Sequence, residues 1–546
     1  MSDSIDSELP DDSERQPFLS TVVDEIDGGK SNDRNDEDVT GESFDAVPIA
    51  RRQIGVISAV FLIFNRIIGS GIYATPAVIL KASGSVGMSL VVWTVGALVA
   101  AAGTAVYIEL GTGLPRSGGE KNYLEYIYRR PRFFATCMYS MYALFLCFSS
   151  ANCVVFAEYV LNAFSIPPTR LNTRFVAVLS LTFAGILHGT SVRWGLRAQN
   201  ALGFFKLGVL LSIACAGALA IAGAPGFRVD PSHASHNFDK GEVWKDTRLQ
   251  ANALINALYA VIWSFAGYSN ANYALSEAKE PVRTLKRAAP LAVFSVTLVY
   301  MLVNIAYFAV VPKEEILDSN HIVAALFFRN LFGAATEKTL SIAIALSTLG
   351  NILSGMFSQA RLVQELGREG ILPHSVFFAS SKPFGAPLAG ITWQYTISCL
   401  VVLAPPPGDA YTFTLNLASY PLALINALIA AGLLFLHTRT SASFGYTWKA
   451  PFCAWTPAIS FFFLSNVFLA VVPFVPPEKG KAEYEHLPYF LHAVVALVII
   501  ALGGVYWYVW CVLRPAHGGY VLERKVVVQE DGFSRNVFLR EPRLSE

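Results

Sequence analysis

Apolar segments of about 20 residues recur along this chain, and each is long enough to cross the ~30 Å hydrocarbon core of a bilayer as a helix. Only 15% of the residues are charged and 53% are hydrophobic, which excludes an ordinary soluble protein. The pattern predicts an all-α membrane protein with twelve transmembrane helices, whose segments are roughly 54–80, 88–113, 133–163, 174–190, 198–223, 251–277, 288–312, 339–366, 386–404, 409–437, 450–474 and 487–513.

The segments outside the apolar stretches divide the chain further. Residues 1–50 are rich in Asp, Glu and Ser, contain a single lysine (Lys30), and are predicted to form a disordered acidic arm. We assign 51–437 to a transport core of ten helices, 438–513 to helices 11 and 12, and 514–546 to a short tail of mixed charge, too small for a catalytic domain.

The distribution of Lys and Arg between the short loops predicts the orientation of the chain. Basic residues are concentrated after even-numbered segments, at Arg116, Lys121, Arg129, Arg130, Arg132, Arg193, Arg197, Lys279, Arg283, Lys286 and Arg287. The loops after odd-numbered segments carry few. We therefore expect the even-numbered loops and both termini to be cytoplasmic.

Other function classes find little support in the sequence. The seven cysteines have no metal-ligand spacing, and the chain has no Gly-Lys-Ser/Thr phosphate loop. A membrane enzyme would need clustered acids, His or Cys within spans, whereas His188, His437 and His492 are far apart in the sequence. We predict no catalytic residue, no metal, no cofactor and no nucleic-acid partner.

The first apolar segment is interrupted by N-R-I-I-G-S-G-I-Y-A-T-P, residues 65–76, where two glycines and a proline should unwind the helix around 67–72. In lipid, backbone groups freed in this way must face protein or a wet cavity. The sixth segment carries a second irregular stretch, S-F-A-G-Y-S-N-A-N, residues 264–272. If segments 1–5 and 6–10 are two inverted repeats, the first and sixth segments occupy corresponding positions. Interrupted helices at such positions indicate a midplane site in a secondary transporter. The alternative is a close-packing small-residue face, but Gly69 and Gly71 lack the Gly-x-x-x-Gly spacing.

The two interruptions also predict the kind of ligand. Free N–H groups at the start of a half-helix favour an anion, and free carbonyls at the end of another favour an ammonium group. A site that offers both fits a zwitterionic α-amino acid.

Four motifs resemble the amino acid–polyamine–organocation transporters, in particular their L-type amino acid transporter branch. They are I-I-G-S-G-I-Y (67–73), Y-I-E-L-G-T-G-L-P-R-S-G-G-E-K-N-Y (107–123), E-A-K-E-P-V-R-T-L (277–285) and G-R-E-G-I-L-P (367–373). Within that family, the acidic arm and Q-E-L-G-R-E-G-I-L-P (364–373) are most similar to the fungal high-affinity methionine permeases. The resemblance implies a five-plus-five inverted repeat, with helices 1 and 6 broken, and alternating access.

The resemblance also implies roles for individual residues. The carboxylate of the substrate would be bound by the segment of Ile68, Gly69, Ser70 and Gly71. Its amine would be bound by the carbonyls of Phe265, Ala266 and Gly267, with Phe265 also acting as a lid. Tyr268 and Tyr73 would line the side-chain pocket, although for either tyrosine simple packing is an equal alternative.

Two cations in apolar segments need separate interpretations. The resemblance implies that Lys206, in the fifth segment, stands where sodium sits in sodium-coupled relatives, and an ammonium in a span is functional by default. The alternative is a lysine that snorkels to the cytoplasm. Arg66 replaces a small residue of the L-type pattern. It would either pair with an acid such as Glu277 to close the inner gate or approach the substrate carboxylate.

These observations predict a plasma-membrane transporter that imports a small neutral L-amino acid, with methionine as the best candidate, by proton symport. An exchanger, a facilitator and a non-transporting receptor remain alternatives. The loop 162–172 has no cysteine, so we expect no disulfide-linked heavy chain. Lys30 is either part of a functionless solvated tail or a regulatory ubiquitin acceptor, with a ubiquitin-ligase adaptor as the partner of the arm.

Overall fold

A computed structural model describes residues 54–542 except 70, 117, 228–234, 319–322, 383, 407–408, 478–483, 485 and 529–533. The arm with Lys30 therefore lies outside the described residues. The same holds for Ser70 and for the side chain of Glu277.

Helices dominate the described chain. The first half contains α1 (Val56–Ile67), α2 (Gly71–Ser83), α3 (Val86–Gly113), α4 (Glu120–Ile127), α5 (Phe134–Phe145), α6 (Ser150–Ala163), α7 (Arg170–Thr190) and α8 (Val192–Ile221). Next come α9 (Ala251–Ser264), a 3-10 helix (Asn270–Glu277), α10 (Pro281–Val310), α11 (Lys313–Asp318), α12 (Val323–Phe332) and α13 (Ala334–Arg368). The last part contains α14 (Ser375–Ala379), α15 (Leu388–Leu403), α16 (Ala410–Leu436), α17 (Thr440–Ser443), α18 (Thr456–Val471), a 3-10 turn (Val472–Phe474), α19 (Leu491–Trp507), a π-helical turn (Tyr508–Leu513) and α20 (Arg514–Gly518).

Every apolar segment predicted from the sequence contains a helix of this structure. Among the described residues, nine helices are long and apolar enough to cross a membrane, or ten if α1 and α2 count as one bent span. The helices α9 and α15, in the sixth and ninth predicted segments, are apolar but shorter. The prediction of a membrane protein with many spans is thus confirmed at this level.

The outer surface of the helices is apolar, which fits a lipid environment better than water. Large hydrophobic side chains such as Phe294, Ile186 and Leu98 point outward and are more than half exposed. Inside, α10 packs against α1, α3 and α8, while α13 packs against α6, α8 and α15. This arrangement encloses the first interrupted helix.

The tail has structure that the sequence patterns did not indicate. Strands β1 (Tyr520–Val528) and β2 (Ser534–Pro542) form an antiparallel hairpin in which Tyr520 is opposite Pro542. Arg524 of β1 lies 3.6 Å from a carboxylate oxygen of Glu125 in α4 and 3.5 Å from one of Glu369 after α13. The tail therefore contacts the end of the bundle where α4 and the end of α13 lie.

Candidate functional site

The first interrupted helix breaks where the glycine and proline pattern predicts. Helix α1 ends at Ile67, α2 begins at Gly71, and their axes differ by 46°. Side chains from other helices satisfy the freed carbonyls: the Tyr300 hydroxyl donates to Ile67 O (3.1 Å), and Asn351 Nδ2 donates to Ile68 O (3.2 Å). The break is thus stable without water or lipid contacts at these oxygens.

The second interruption follows Ser264, where α9 ends. Gly267 has a φ of 124°, which side-chain-bearing residues rarely adopt, and the chain resumes as a 3-10 helix at Asn270. The two breaks touch each other, because Thr75 Oγ1 of α2 lies 3.0 Å from Ser264 Oγ. The backbone of both irregular segments therefore lies in one region.

Lys206 lies beside the first break. Its side chain is 1% exposed, and Nζ donates to Asn65 O (3.1 Å) and Ile68 O (2.7 Å). Hydrogen bonds from an ammonium group to two carbonyls hold α8 against the end of α1. A lysine that snorkels to the cytoplasm would not have this geometry.

A small cavity opens between the two interruptions. Backbone and side chains of the breaks supply one side, through Arg66, Ile67, Gly69, Gly71, Ser264 and Ala266. Phe148, Trp263 and Ala418 supply apolar surface. Apart from Ala151, the remaining wall is polar, and it belongs to α13 and the start of α6.

That polar wall consists of three side-chain amides and one hydroxyl, which form two hydrogen-bonded pairs. Asn152 Nδ2 donates to Asn351 Oδ1 (3.2 Å), and Ser149 Oγ donates to Gln359 Oε1 (3.3 Å). Asn351 and Gln359 are eight residues apart on α13, so they lie on one helix face. All four residues line the cavity.

The site residues expected from the sequence fall into two groups. Gly69, Gly71, Ala266 and Arg66 line the cavity, and Ile68 contributes its carbonyl to the break. The ring of Phe265 packs instead between Trp93 and Tyr300, at centroid distances of 6.2 and 5.3 Å, and Trp263 occupies the cavity wall.

The two tyrosines considered for the side-chain pocket are engaged elsewhere. The Tyr268 hydroxyl accepts from Asn426 Nδ2 (3.4 Å), and the Tyr73 hydroxyl lies 3.2 Å from Ser347 Oγ. Neither residue is part of the cavity lining described above.

Sequence reasoning did not identify Asn152, Asn351, Gln359, Trp263 or Tyr300. A signal was present for the amides, since polar side chains within an apolar span face protein or a cavity more often than lipid. The sequence does not indicate which amides face each other, because Asn152 and Asn351 are 199 positions apart.

One group of potential metal ligands occurs among the described residues. Atoms of Glu109, His437 and Cys453 lie within 4.8 Å of one another. The buried Glu109 carboxylate already accepts from His437 Nε2 (2.6 Å), Trp448 Nε1 (3.0 Å) and Ala454 N (2.8 Å). These hydrogen bonds account for the cluster, which ties α3 to the segment before α18.

Comparison with known proteins gives the family. Residues 54–501 match the family model described as amino acid permease, which is most of the chain. The chain belongs to the amino acid permease family. It is 45% identical to the high-affinity methionine permease of Saccharomyces cerevisiae, over 89% of this chain and 83% of that protein.

Further relatives support the same assignment. The permease is 30% identical to the low-affinity methionine permease of the same yeast, over 90% of this chain and 88% of that protein. It is also 30% identical to the large neutral amino acids transporter small subunit 2 of Mus musculus, over 73% of this chain and 71% of that protein. The resemblance stated from the motifs is therefore confirmed.

Proposed function

We propose that this permease imports methionine, or a similar neutral L-amino acid, across the plasma membrane. The observation that carries the proposal is the cavity bounded by both interrupted helices, which offers backbone groups suited to a zwitterion. The 45% identity to a high-affinity methionine permease favours methionine among the neutral amino acids.

The binding mode follows from the chemistry of helix ends. The carboxylate binds at the start of α2, to the segment Ile68–Gly71, where the helix dipole favours an anion by ~0.3–2 kcal/mol. The amine binds carbonyls of Phe265, Ala266 and Gly267 after the end of α9. Phe265 and Tyr268 then move towards the substrate when the site closes.

The transport cycle is alternating access in a twelve-helix fold with a five-plus-five inverted repeat. In this arrangement α9 continues through the break into the 3-10 helix as the sixth span, and α15 is the ninth. The termini and even-numbered loops are cytoplasmic, consistent with the distribution of Lys and Arg. Arg66, which lines the cavity, acts in substrate recognition, and Glu277 acts at the inner gate.

Protons drive uptake, with Lys206 as the coupling residue. The hydrogen bonds from Lys206 Nζ to Asn65 O and Ile68 O support this. A change in the charge of Lys206 would change the strength of these bonds, which connect α8 to the first break. One inward charge is worth about 2.3 kcal/mol per 100 mV, enough for roughly fiftyfold accumulation.

Uptake of radiolabelled methionine by cells that lack their own methionine permeases tests the proposal. Uptake should rise as external pH falls, collapse with a protonophore and ignore sodium replacement. Equilibration without accumulation indicates a facilitator, and a requirement for internal amino acid indicates an exchanger. Binding at the surface without uptake indicates a receptor.

The acidic arm regulates the amount of permease at the surface. We propose that Lys30 is a ubiquitin acceptor, recruited through a ubiquitin-ligase adaptor when substrate is plentiful. Lys30→Arg should stay at the surface after methionine is added, while the wild type is removed. Equal rates of removal, with equal uptake beforehand, would refute a role for Lys30.

A further inference from the structure

Two glycines, Gly267 and Gly355, leave the space that the Arg66 side chain occupies. A Cβ on Gly267 would lie 2.6 Å from Arg66 Cγ, and one on Gly355 would lie 3.2 Å from Arg66 Nη1. A side chain at position 267 would therefore displace the arginine, and one at position 355 would press first on Ser149 Oγ, at 2.6 Å, and more weakly on the guanidinium. The side chain therefore runs from the end of α1, past the second break, to the face of α13.

The guanidinium has no counter-ion within the described structure. It borders the cavity, whose described lining contains no carboxylate, and no hydrogen bond or ion pair joins it to another described residue. Glu277 lies at a different level: the next residue, Ala278, pairs with Ile54, which is twelve residues or ~18 Å along the helix from Arg66. The nearest oxygens of the wall, those of Ser149 and Gln359, already share a hydrogen bond with each other, so an oxygen of a ligand can serve as the acceptor for the guanidinium.

The face of α13 sets the distance between the first break and Arg66. Asn351 donates to Ile68 O at the break, and Gly355, which borders the guanidinium, lies one turn further along. Four residues of helix rise ~6 Å. An amino acid with its carboxylate at the break and its side chain along α13 would therefore bring its fourth or fifth side-chain atom to Arg66. Phe148, Trp263 and Ala418 provide apolar contact for the methylene stem.

We propose that Arg66 recognises an oxygen acceptor on the δ atom of the substrate side chain, so that the permease takes methionine sulfoxide and glutamine as a second substrate class. This inference rests on the proposed function. The same guanidinium excludes lysine and arginine, because like charges in a low-dielectric cavity repel. Methionine itself is accepted, since its thioether makes apolar contacts and only a weak hydrogen bond.

The experiment compares two competitors of labelled methionine uptake: methionine sulfoxide, which carries the oxygen, and norleucine, which has similar size without it. Arg66→Met should raise the inhibition constant of methionine sulfoxide about tenfold, the loss typical of a hydrogen bond to a charged group, and that of norleucine less than about twofold. Arg193→Met, at an exposed arginine of α8, is the matched control and should change neither.

The outcomes separate the possible roles of Arg66. An equal loss for both competitors would mean that Arg66 binds the α-carboxylate and would overturn the inference. If Arg66→Met does not reach the surface, wild-type uptake of labelled methionine sulfoxide and of lysine decides. The inference requires the first to be accumulated and the second to be excluded. Methionine uptake without competition by sulfoxide would defeat the inference alone, whereas absence of methionine uptake would defeat the proposed function.

Discussion

At Gly69 and Gly71, in the first break, the neighbouring residues Asn351 and Ser264 leave no room for a Cβ atom. A Cβ on Gly69 would lie 2.4 Å from Asn351 Nδ2, and one on Gly71 would lie 2.7 Å from Ser264 Oγ and 3.0 Å from Ser264 Cα. Contacts this short require a shift of the neighbour. At Gly71 that neighbour includes the backbone of the second break, so the two breaks constrain each other.

Gly71→Ala and Gly69→Ala should each reduce methionine uptake at least about tenfold, since overpacking costs ~1–3 kcal/mol. Gly71→Ala should be the more severe, because Ser264 Cα cannot rotate away. Gly208→Ala is the control: it lies within α8 and has nothing within 4 Å. Uptake at equal surface amount is the measurement, and normal uptake by Gly71→Ala would argue against a site at this break.

Lys206→Met should lower uptake about tenfold and remove its stimulation by low external pH. The change removes the hydrogen bonds to Asn65 O and Ile68 O. Ile68 O keeps the bond from Asn351, but Asn65 O loses its donor, and an unsatisfied buried acceptor costs ~1–3 kcal/mol. The measurement is uptake against external pH, with exposed Lys81→Met as the control. A variant that keeps the wild-type pH profile would show that Lys206 is not the coupling residue.

At the scale of elements, one hydroxyl joins the two interrupted helices. Tyr300 of α10 is fully buried, and its OH lies 3.1 Å from both Ile67 O and Ser264 O, the last residues of α1 and α9. Trp93 packs edge-on against its ring at 5.5 Å. Because a single hydroxyl contacts both helix ends, we expect movement of one half-helix to affect the other.

Tyr300→Phe should therefore destabilise the permease by ~1–3 kcal/mol, because the change removes the one hydroxyl proton that the two buried carbonyls share while the ring remains. It should also lower the maximal rate of uptake more than the apparent affinity, because the hydroxyl does not border the cavity. Thermal unfolding in detergent and uptake kinetics measure these effects. Tyr508→Phe, at an exposed tyrosine, is the control, and equal behaviour of the two variants would disprove the bridging role.

At the scale of the whole molecule, the C-terminal hairpin is attached through Arg524. Its side chain is 13% exposed, reaches Glu125 and Glu369, and lies over the rings of Phe133 (5.0 Å) and Phe538 (5.7 Å). The hairpin thus connects the segment after α3 with the segment after α13. Each partly buried ion pair or cation–π contact contributes a small stabilising free energy, and several of them together hold the hairpin against the helices.

Arg524→Ala should release the hairpin. Amide exchange in β1 should become roughly tenfold faster, which corresponds to ~1.4 kcal/mol. Lys525→Ala is the matched control, because the adjacent strand residue points to the opposite face and is 53% exposed. Hydrogen exchange followed by mass spectrometry measures the difference, and equal protection in the two variants would mean that other contacts hold the hairpin.

Local patterns in the sequence were sufficient for the helices and for the positions of both breaks. Hydropathy over about 20 residues determines which segments prefer lipid, and the glycines and proline around Gly69 weaken a helix wherever it packs. For the same reason the sequence alone marks Lys206 in the fifth segment as unusual, because an ammonium group in an apolar span is costly in any fold. These features depend on residues close together in the chain.

The tertiary structure alone decided what surrounds the breaks. Tyr300 meets Ile67 across 233 positions and Asn351 meets Ile68 across 283, and hydropathy carries no information about such pairs. The tertiary structure also places Phe265 in an aromatic cluster and Arg66 in the cavity, away from the level of Glu277. It folds the tail into a hairpin that contacts the helices. The physical reason is that a buried polar or charged group must find its partner in space, and which partner it finds depends on how the helices pack.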